Sequence, residues 1–431
     1  MNFEYFIARK VARAGQWSFS RLIIRIAVIA VALSVAVMIV STALITGFKR
    51  EISSKIFGFW GHIHITDPDI NRSLLEIYPI SKQQPFYPSL DTLRKVTYIE
   101  TRDIWGYEWE REKDTKGGIH HIQVYAIKPG IIKSKKEIEG IILKGVGSDF
   151  DWQFMQRFIQ KGRPIELSDT TASQEILISQ QTADRLKVDV GDRFIIHFVE
   201  RGEQVRRRFT VSGIYKTGLE EYDRKFALVD IRQVQQILGW KPDEVSGFEV
   251  FIDDIDDLQI LNEYIYFEQL PTDLYAETIR DKFPEIFEWL ELQNINEVVI
   301  LALMVIVAII NMVTALLILI LERTNMIGML KAMGSTNWSI RKIFLYYAGY
   351  IILVGLFWGN LIGIGLCLMQ DRFELIKLDE ANYYLSVAPI DLQFSALLLI
   401  NAGTLLITLS FLVIPSYLVT RISPVKAIRF K

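Results

Sequence analysis

The sequence predicts an integral membrane protein with four transmembrane α-helices and a large mixed α/β extracytoplasmic domain between the first and second helices. Three observations lead to this prediction. Four stretches, residues 26–48, 298–321, 343–370 and 392–420, contain no Asp, Glu, Lys or Arg. Each is longer than the roughly 18 apolar residues that indicate a membrane span. The other two observations are the distribution of charge and the strand and helix patterns of the long segment between the first two stretches.

The composition excludes a purely soluble protein and a disulfide-stabilised fold. Half of the residues are hydrophobic (50%), and the net charge is −2. The sole cysteine, Cys367, lies inside the third apolar stretch, so neither a disulfide framework nor a zinc ribbon can form within the chain.

The charge is divided unevenly, and the division predicts the topology. The segments before the first stretch, between the second and third, and after the fourth contain 13 Lys and Arg against two acidic residues. Segment 49–297 contains 33 against 43, and loop 371–391 contains two against five. Basic residues in short loops remain cytoplasmic, whereas large domains are translocated regardless of charge. We therefore expect both termini in the cytoplasm.

These boundaries divide the chain into nine segments. The first span is expected to be a retained anchor, because its apolar run exceeds the roughly 7–15 residues of a signal peptide. Apolar and basic residues alternate at helical spacing before it, which predicts a helix on the membrane surface; the alternative is a solvated tail. The segments are a cytoplasmic amphipathic helix (1–21), TM1 (22–48), the extracytoplasmic domain with helical extensions of TM1 and TM2 (49–295), TM2 (296–321), a cytoplasmic coupling loop (322–342), TM3 (343–370), an outer loop (371–391), TM4 (392–419) and a cytoplasmic tail (420–431).

The outer domain is predicted to alternate strands and helices around its own core. Strands are expected at residues 61–66, 119–127, 175–179, 192–199, 207–215, 226–229 and 248–253. Helices are expected at 180–186, 231–238 and 254–269. His62 and His64 share one face of a strand, which suits either a metal pair or two structural histidines; the structural interpretation is favoured because no ligand cluster follows at metal spacing. The acidic balance of the domain argues against nucleic-acid binding.

Several polar and small residues lie inside the apolar stretches. Asn311 is expected to hydrogen-bond another helix, with a direct substrate role as the alternative. Gly355, Gly359 and Gly363 form overlapping G-x-x-x-G patterns, which predict close helix packing within the chain or with another subunit. Pro415 is expected to kink the fourth span. No acidic or basic residue lies in these stretches, which argues against ion-coupled transport.

The energy source is expected to lie on another protein. The chain contains no G-x-x-x-x-G-K-[ST] motif that would bind ATP phosphates. In the loop 322–342, apolar residues recur at helical spacing and Gly334 is a plausible helix end. Such a helix can place its apolar face in a partner's groove, or it can lie on the membrane surface without a partner.

Four stretches that follow one another over nearly the whole chain carry a family resemblance. They are ITGFKREI (45–52) with IFG (56–58) and HIHI (62–65); residues 176–191 with VSGI (211–214) and TGLEEYD (217–223); Asn311 through Glu322 and Arg323 to MIGMLKAMG (326–334); and ISPVKAIRF (422–430). In these stretches the sequence resembles the lipoprotein-releasing permeases of the LolC/LolE family, within the wider group of ABC permeases that includes MacB and FtsX.

The resemblance implies an assembly and a mechanism. Two permeases, identical or different, would bind two copies of a separate ATPase (LolD-like), which would hold the ATP and Mg²⁺; this chain would be neither an enzyme nor bound to a cofactor. A cavity between the permeases would receive the acyl chains of a lipoprotein from the outer leaflet of the inner membrane, and a periplasmic carrier chaperone (LolA-like) would accept the lipoprotein. The implied cavity residues are Leu44, Ile45 and Phe48, with Val298 and Val299 added by proximity. The implied coupling helix spans residues 325–334, with Met326, Ile327, Met329, Leu330, Met333 and Gly334 as contacts to the ATPase.

One departure from the family leaves alternatives open. In LolC-type members, a longer, proline-containing hairpin captures the chaperone, whereas residues 199–205 here are short and contain no proline. The chain can be the LolE-like partner, use another docking surface, or serve no chaperone. The alternative function is that of a MacB- or FtsX-like mechanotransmission permease, which drives efflux or regulates a periplasmic hydrolase.

Overall fold

The computed structural model describes residues 4, 19–68, 78–104, 107–133, 138–168, 171–200 and 202–422. The chain divides into two compact units. The helical unit consists of Met1–Glu51, Glu288–Leu378 and Val387–Lys431, and the α/β unit consists of Ile52–Phe287 and Asp379–Ser386. The predicted amphipathic helix at 1–21 and the end of the tail at 420–431 lie mostly outside the described residues.

The elements are numbered in chain order. The helices are α1 (Phe19–Trp60), α2 (Trp152–Gln156), α3 (Gln180–Leu186), α4 (Glu220–Lys225), α5 (Ile231–Leu238), α6 (Leu258–Tyr264), α7 (Ile279–Lys282), α8 (Pro284–Glu322), α9 (Thr324–Ala332), α10 (Asn337–Phe373), α11 (Glu380–Tyr383), α12 (Phe394–Ser416) and α13 (Leu418–Arg421). The strands are β1 (Ile63–Thr66), β2 (Ile80–Ser81), β3 (Thr97–Ile104), β4 (Tyr107–Asp114), β5 (Ile119–Lys133), β6 (Ile138–Val146), β7 (Ile159–Gly162), β8 (Glu175–Ser179), β9 (Arg193–Glu200), β10 (Glu203–Tyr215), β11 (Phe226–Asp230), β12 (Glu244–Val245), β13 (Gly247–Ile252) and β14 (Tyr275–Thr278).

Four helical segments of the described chain are long and apolar enough to cross a membrane: Leu22–Trp60, Pro284–Glu322, Asn337–Phe373 and Phe394–Arg421. They coincide with the four stretches that lack charge. The helices α1, α8 and α10 extend well beyond those stretches. Their ends contain charged residues, which are compatible with a helix outside the apolar layer of the membrane. The core of the helical unit is aliphatic and includes Val35 and Met38 of α1, Leu316 of α8, and Phe344 and Ile352 of α10.

The α/β unit is built on one ten-stranded sheet with the order β14-β1-β13-β5-β6-β11-β8-β10-β7, and β9 pairs with both β10 and β5. Most neighbours are antiparallel, whereas β6–β11 and β8–β10 are parallel. Two apolar clusters stabilise the sheet, one around Ile63, Val124 and Phe248 and the other around Leu143 and Phe198. The pairs β2–β12 and β3–β4 form separate two-stranded sheets.

Most predicted elements of this unit are present, with shifts at their ends. The strand at 175–179 and the helices at 180–186 and 231–238 have the predicted bounds. The predicted helix at 254–269 is divided into a 3₁₀ turn (Ile255–Asp257), α6 and a π-helical turn (Ile265–Gln269). The strand predicted from residue 207 begins at Glu203, so the three arginines at 206–208 lie inside it.

The prediction missed the strands β2, β3, β4, β6, β7, β12 and β14. Four of these are only two or four residues long. Charged residues occupy three of the eight positions in β3 and six of the eight in β4, so neither strand shows a sustained apolar alternation. These strands depend on their cross-strand partners, which the local sequence does not reveal.

Candidate functional site

The predicted coupling loop folds as α9 followed by a turn at Gly334, where φ is +91° and glycine is strongly favoured. The structure divides the predicted contact residues into two groups. Ile327 and Leu330 are buried in the core of the helical unit. Met329 and Met333 are exposed, at 53% and 74% of their surface. Met326 is half-buried against the same core, and the exposed methionines form the accessible part of α9.

Lys331 joins α9 to the end of α13. Its Nζ donates hydrogen bonds to the backbone carbonyls of Val419 (2.8 Å), Thr420 (3.3 Å) and Ile422 (2.8 Å). The last carbonyls of a helix lack intrahelical partners and form the negative end of its dipole, so an ammonium group stabilises them. A movement of α9 must therefore either move α13 with it or break these bonds.

Arg341, near the start of α10, binds the end of α12, which directly precedes α13. Its Nε donates to Ser416 Oγ (3.1 Å), and its Nη2 donates to the carbonyl of Val413 (3.2 Å). The guanidinium also lies over the rings of Trp338 and Tyr417, at 5.2 and 5.3 Å from their centroids. Both flanks of the loop are thus bound to the end of α12–α13, a role of Lys331 and Arg341 that sequence reasoning missed. The signal was present as two basic residues in the loop, but most of the hydrogen-bond partners are backbone carbonyls, which carry no sequence pattern.

The predicted cavity residues lie on α1 and α8. Leu44, Ile45 and Phe48 are half-buried, whereas Val298 and Val299 are exposed at 64% and 49%. The ring of Phe48 contacts Trp289 edge-on, with centroids 5.4 Å apart. Val299 belongs to an exposed apolar stripe along α8, which also contains Leu292, Ile295, Leu303, Ile306 and Ile310. Their spacing of three or four residues places them on one helix face.

The three glycines of α10 pack against α1 of the same chain. A Cβ atom on Gly355 would lie 2.7 Å from Val31, and one on Gly359 would lie 2.8 Å from the carbonyl oxygen of Ala32. At Gly363 the nearest atom, on Ile39, would be 3.1 Å away. The sequence left open whether the neighbour of this face is inside the chain, and within the helical unit it is α1.

The polar residues of the spans bond differently from the prediction. Asn311 donates to the carbonyl of Val307 in its own helix (2.9 Å), and among the described residues of this chain it forms no hydrogen bond to another helix. A cross-helix pair instead joins Asn360 of α10 and Asn401 of α12, whose amides exchange hydrogen bonds of 2.6 and 2.9 Å. Pro415 lies one residue before the end of α12, so it marks the helix end rather than a kink in the middle.

A buried ionic cluster holds the C-terminal end of α1 in the α/β unit. Lys144 of β6 is fully buried, lies 2.7 Å from the carboxylate of Glu249, and donates to the backbone carbonyl of Phe59 (2.6 Å). Gln123 donates to the other oxygen of Glu249 (2.7 Å). Burial lowers the pKa of Lys144 and raises that of Glu249, because both charged forms lose hydration. The ammonium thus neutralises the carboxylate and caps the helix end at once.

His62 and His64 pack on the same helix end. The imidazole of His62 stacks on Phe57 at 4.4 Å, and Nε2 of His64 bonds the carbonyl of Trp60 at 2.6 Å. Burial lowers the pKa of His62 to about 3, and it lowers that of His64 well below its usual value. In the described part of the chain, no group of three His, Cys, Asp or Glu side chains could hold a metal ion. The contacts of both histidines are structural.

The TGLEEYD motif forms a self-capped turn. The carboxylate of Asp223 accepts hydrogen bonds from the backbone N–H and hydroxyl of Thr217 and from the N–H of Gly218. Gly218 has φ +81°, and a Cβ there would lie 2.8 Å from Glu380. Lys216 forms an ion pair with the same Glu380. The motif and the preceding Lys216 therefore contact segment 379–386 within the α/β unit.

The hairpin between β9 and β10 is as short as the sequence predicts. Glu200 pairs with Glu203 across the turn, and Gly202 has φ +81°, which a tight turn requires. Arg201 lies outside the described residues.

Comparison with known proteins places these features in a family. The family described as MacB-like periplasmic core domain matches residues 26–265, which is more than half of the chain. The chain belongs to the MacB-like family. Residues 298–424 of this MacB-like permease also match the family described as FtsX-like permease C-terminal.

Relatives of this MacB-like chain include proteins of lipoprotein-releasing systems. It is 23% identical to the "Lipoprotein-releasing system transmembrane protein LolE" of Haemophilus influenzae, over 99% of each chain. It is 22% identical to the LolC protein of Xylella fastidiosa, over 94% of this chain and 93% of that one. A solved structure, the extracellular domain of the ABC-type transporter YknZ from Gram-positive bacteria, aligns to 50% of this chain and 98% of its own, with 14% identity and a TM-score of 0.29; that score is too low to establish a common fold. The resemblance to LolC/LolE within the MacB/FtsX group is confirmed, and the chain is a multi-pass ABC-transporter permease with a periplasmic domain.

Proposed function

We propose that this permease extracts lipoproteins from the outer leaflet of the inner membrane for transfer toward the outer membrane. The observation that carries the proposal is the exposed apolar stripe of α8, which begins beside the Phe48–Trp289 contact and includes Val299, with the exposed Val298 next to it. The length of the stripe suits acyl chains. The relatives that match this chain over nearly its whole length are named as lipoprotein-releasing proteins.

The energetics of this function require an external ATPase. Each CH₂ group buried in the membrane contributes about 0.8 kcal/mol, so a lipoprotein with several acyl chains does not leave the bilayer spontaneously. We propose that a separate ATPase subunit holds ATP and Mg²⁺, that the termini and α9 are cytoplasmic, and that α9 contacts the ATPase. Met329 and Met333 are exposed and would make this contact. Methionine side chains suit such a contact because they adapt to irregular grooves.

The remaining partners follow from the same proposal. A second permease copy, identical or not, completes the cavity on α1 and α8. A periplasmic carrier chaperone is the proposed acceptor, although the short β9–β10 hairpin offers little surface to capture one. Copurification followed by mass spectrometry distinguishes a homodimer from a heterodimer and shows whether a carrier protein or a hydrolase accompanies the complex.

Site-specific photocrosslinking tests the cavity. We expect a photoreactive amino acid at Val298 or Val299 to crosslink a lipoprotein in the nucleotide-free complex. The same probe at Leu399, an equally exposed apolar position on α12, is the matched control. Equal crosslinking at all three positions, or normal lipoprotein sorting after depletion of the chain in its host, contradicts the proposed function.

Substitutions in α9 test the coupling contact. Met333→Glu is expected to reduce recovery of the ATPase in purified complexes, and Met333→Leu to preserve it, because only the first places a charge on the docking surface. Leu330→Glu would not be informative, since it buries a charge in the permease's own core. Full ATPase recovery with Met333→Glu and Met329→Glu combined rules out docking through this face.

The second candidate function is mechanotransmission, in which ATP-driven movement of the spans acts on an efflux partner or a hydrolase. The buried cap formed by Lys144 and His64 favours it, because the end of α1 is bound firmly to the sheet. In that case depletion changes cell-wall cleavage or efflux while lipoprotein sorting remains normal.

A further inference from the structure

The helices α1 and α10 leave a groove of about 560 Å³ between them, inside the helical unit. Such a volume is typical of ligand sites, which span roughly 300–1,000 Å³. Residues 24–33 of α1 line the groove, so it extends for about 15 Å along that helix at 1.5 Å per residue. Apart from one cation, the lining is aliphatic and aromatic; it includes Val28, Ile29, Leu33, Tyr350, Val354 and Trp358.

The floor of the groove is fixed by the close contact of the two helices. Gly355 and Gly359 allow α10 to approach Val31 and Ala32 of α1 so closely that a Cβ atom on either glycine would lie within 2.8 Å of them. Larger side chains on either side, among them the half-exposed Trp358, form the walls. The groove is therefore a consequence of the glycine contact and is built into the helix pair.

Arg25 is the one charged residue among those that line the groove. It is exposed, it directly precedes the charge-free stretch that begins at residue 26, and no carboxylate lies within ion-pair distance of it in the described part of the chain. Arginine binds phosphate through a planar set of donors. The groove thus combines a cation at one end with an apolar channel of membrane depth.

We infer that this groove binds one anionic phospholipid, with its phosphate on Arg25 and an acyl chain between Ile29, Leu33 and Trp358. Basic residues between spans at a membrane surface are typical sites for lipid headgroups. A span of a second copy is a poorer occupant, because the four apolar stretches contain no carboxylate that could neutralise Arg25. The site is separate from the proposed lipoprotein cavity on α8 and does not depend on it.

Fluorescence quenching of Trp358 tests the inference. The full chain is reconstituted in phosphatidylcholine vesicles with increasing fractions of phosphatidylglycerol whose acyl chains are brominated. The Trp358 signal is the difference between the wild type and Trp358→Phe. One charged contact at a membrane surface corresponds to about a fivefold preference for the anionic lipid, so half-quenching should need about fivefold less brominated phosphatidylglycerol than brominated phosphatidylcholine.

Matched variants assign the preference to the groove. Arg25→Gln should abolish it and Arg25→Lys should largely restore it, whereas Arg421→Gln, at another exposed helix end, should leave it unchanged. Val354→Phe should weaken quenching by filling the groove; Leu353→Phe, one residue away and outside the lining, should not. Thermal unfolding of each variant in detergent shows that the fold is retained.

Four results would overturn the inference. Equal quenching by both headgroups, or a preference that survives Arg25→Gln, would mean ordinary contact with bulk lipid. Absence of quenching with either lipid would mean that protein covers the groove. Loss of the preference on addition of inorganic phosphate, with quenching otherwise unchanged, would mean an anion site on Arg25 without a bound acyl chain.

Discussion

Removal of the Lys144 ammonium should destabilise the α/β unit more than any other single charge change in it. Lys144→Met keeps an apolar stem of similar length but leaves the carboxylate of Glu249 buried, with Gln123 as its remaining side-chain donor. It also removes the donor to the carbonyl of Phe59 at the end of α1. Breaking a fully buried ion pair from one side costs about 3–5 kcal/mol.

Native-state hydrogen exchange of the full chain in mild detergent measures this loss. Amides of β13, which contains Glu249, and of its neighbour β5 should exchange at least about a hundredfold faster, since 1.36 kcal/mol corresponds to a factor of about ten. The double variant Lys144→Met/Glu249→Leu should recover most of the protection, because no charge is then left buried.

The effect should also depend on pH. Burial already raises the pKa of Glu249, and removal of the neighbouring cation raises it further, so the variant can relieve the buried charge by binding a proton. A carboxyl with a raised folded-state pKa loses stability as pH rises through that pKa. The loss in Lys144→Met should therefore be larger at pH 7 than at pH 4.5, the ordinary pKa of a glutamic acid. Exchange rates within tenfold of the wild type at both values would refute the assignment of Lys144 as a stabilising cap.

Three further predictions concern other positions. His62 has a folded-state pKa of about 3, below its unfolded value, so the stability that the neutral imidazole contributes is lost as pH falls below about 6.5. This loss reaches about 2 kcal/mol at pH 5. Urea unfolding at pH 7 and pH 5 should show the loss in the wild type and a smaller one in His62→Asn. Gly359→Ala should lower Tm in detergent, because its Cβ would meet a backbone oxygen at 2.8 Å, while Gly365→Ala, with open space around it, should not. A double-mutant cycle of Asn360→Leu and Asn401→Leu should give a coupling of about 0.6–2 kcal/mol from thermal unfolding, and additivity would mean that the two amides do not interact.

Local sequence patterns predicted an element correctly wherever the interactions that form the element are local. The four spans were visible because backbone groups in hydrocarbon require long apolar helices, whatever the rest of the chain does. The strand 175–179 followed by the helix 180–186 was predicted with correct bounds, because Ser179 caps the helix through its own side chain. Strand β6 was missed, since Lys144 and two glycines interrupt its apolar pattern and only its partners β5 and β11 stabilise it.

For the candidate sites too, the local pattern predicted the element, whereas the burial of its side chains depended on tertiary packing. The helical spacing of α9 located the loop, but the spacing alone could not show that Ile327 and Leu330 are buried in the permease's own core while Met329 and Met333 are exposed. A helix of nine residues can place any of its faces inward, and the direction depends on the helices packed around it.

The uneven distribution of charge and apolar residues along the chain determined by itself that this protein has four spans and a large soluble domain. Hydropathy is a sum over neighbouring residues, so it can be calculated from the sequence. Only the tertiary structure decided which polar groups meet: Lys331 and Arg341 at the end of α12–α13, Asn360 with Asn401, and Lys144 at the end of α1. Each of these contacts joins residues far apart in the chain, and all three cations bind backbone carbonyls. A carbonyl is present at every residue, so no sequence pattern can mark the one that will be bound.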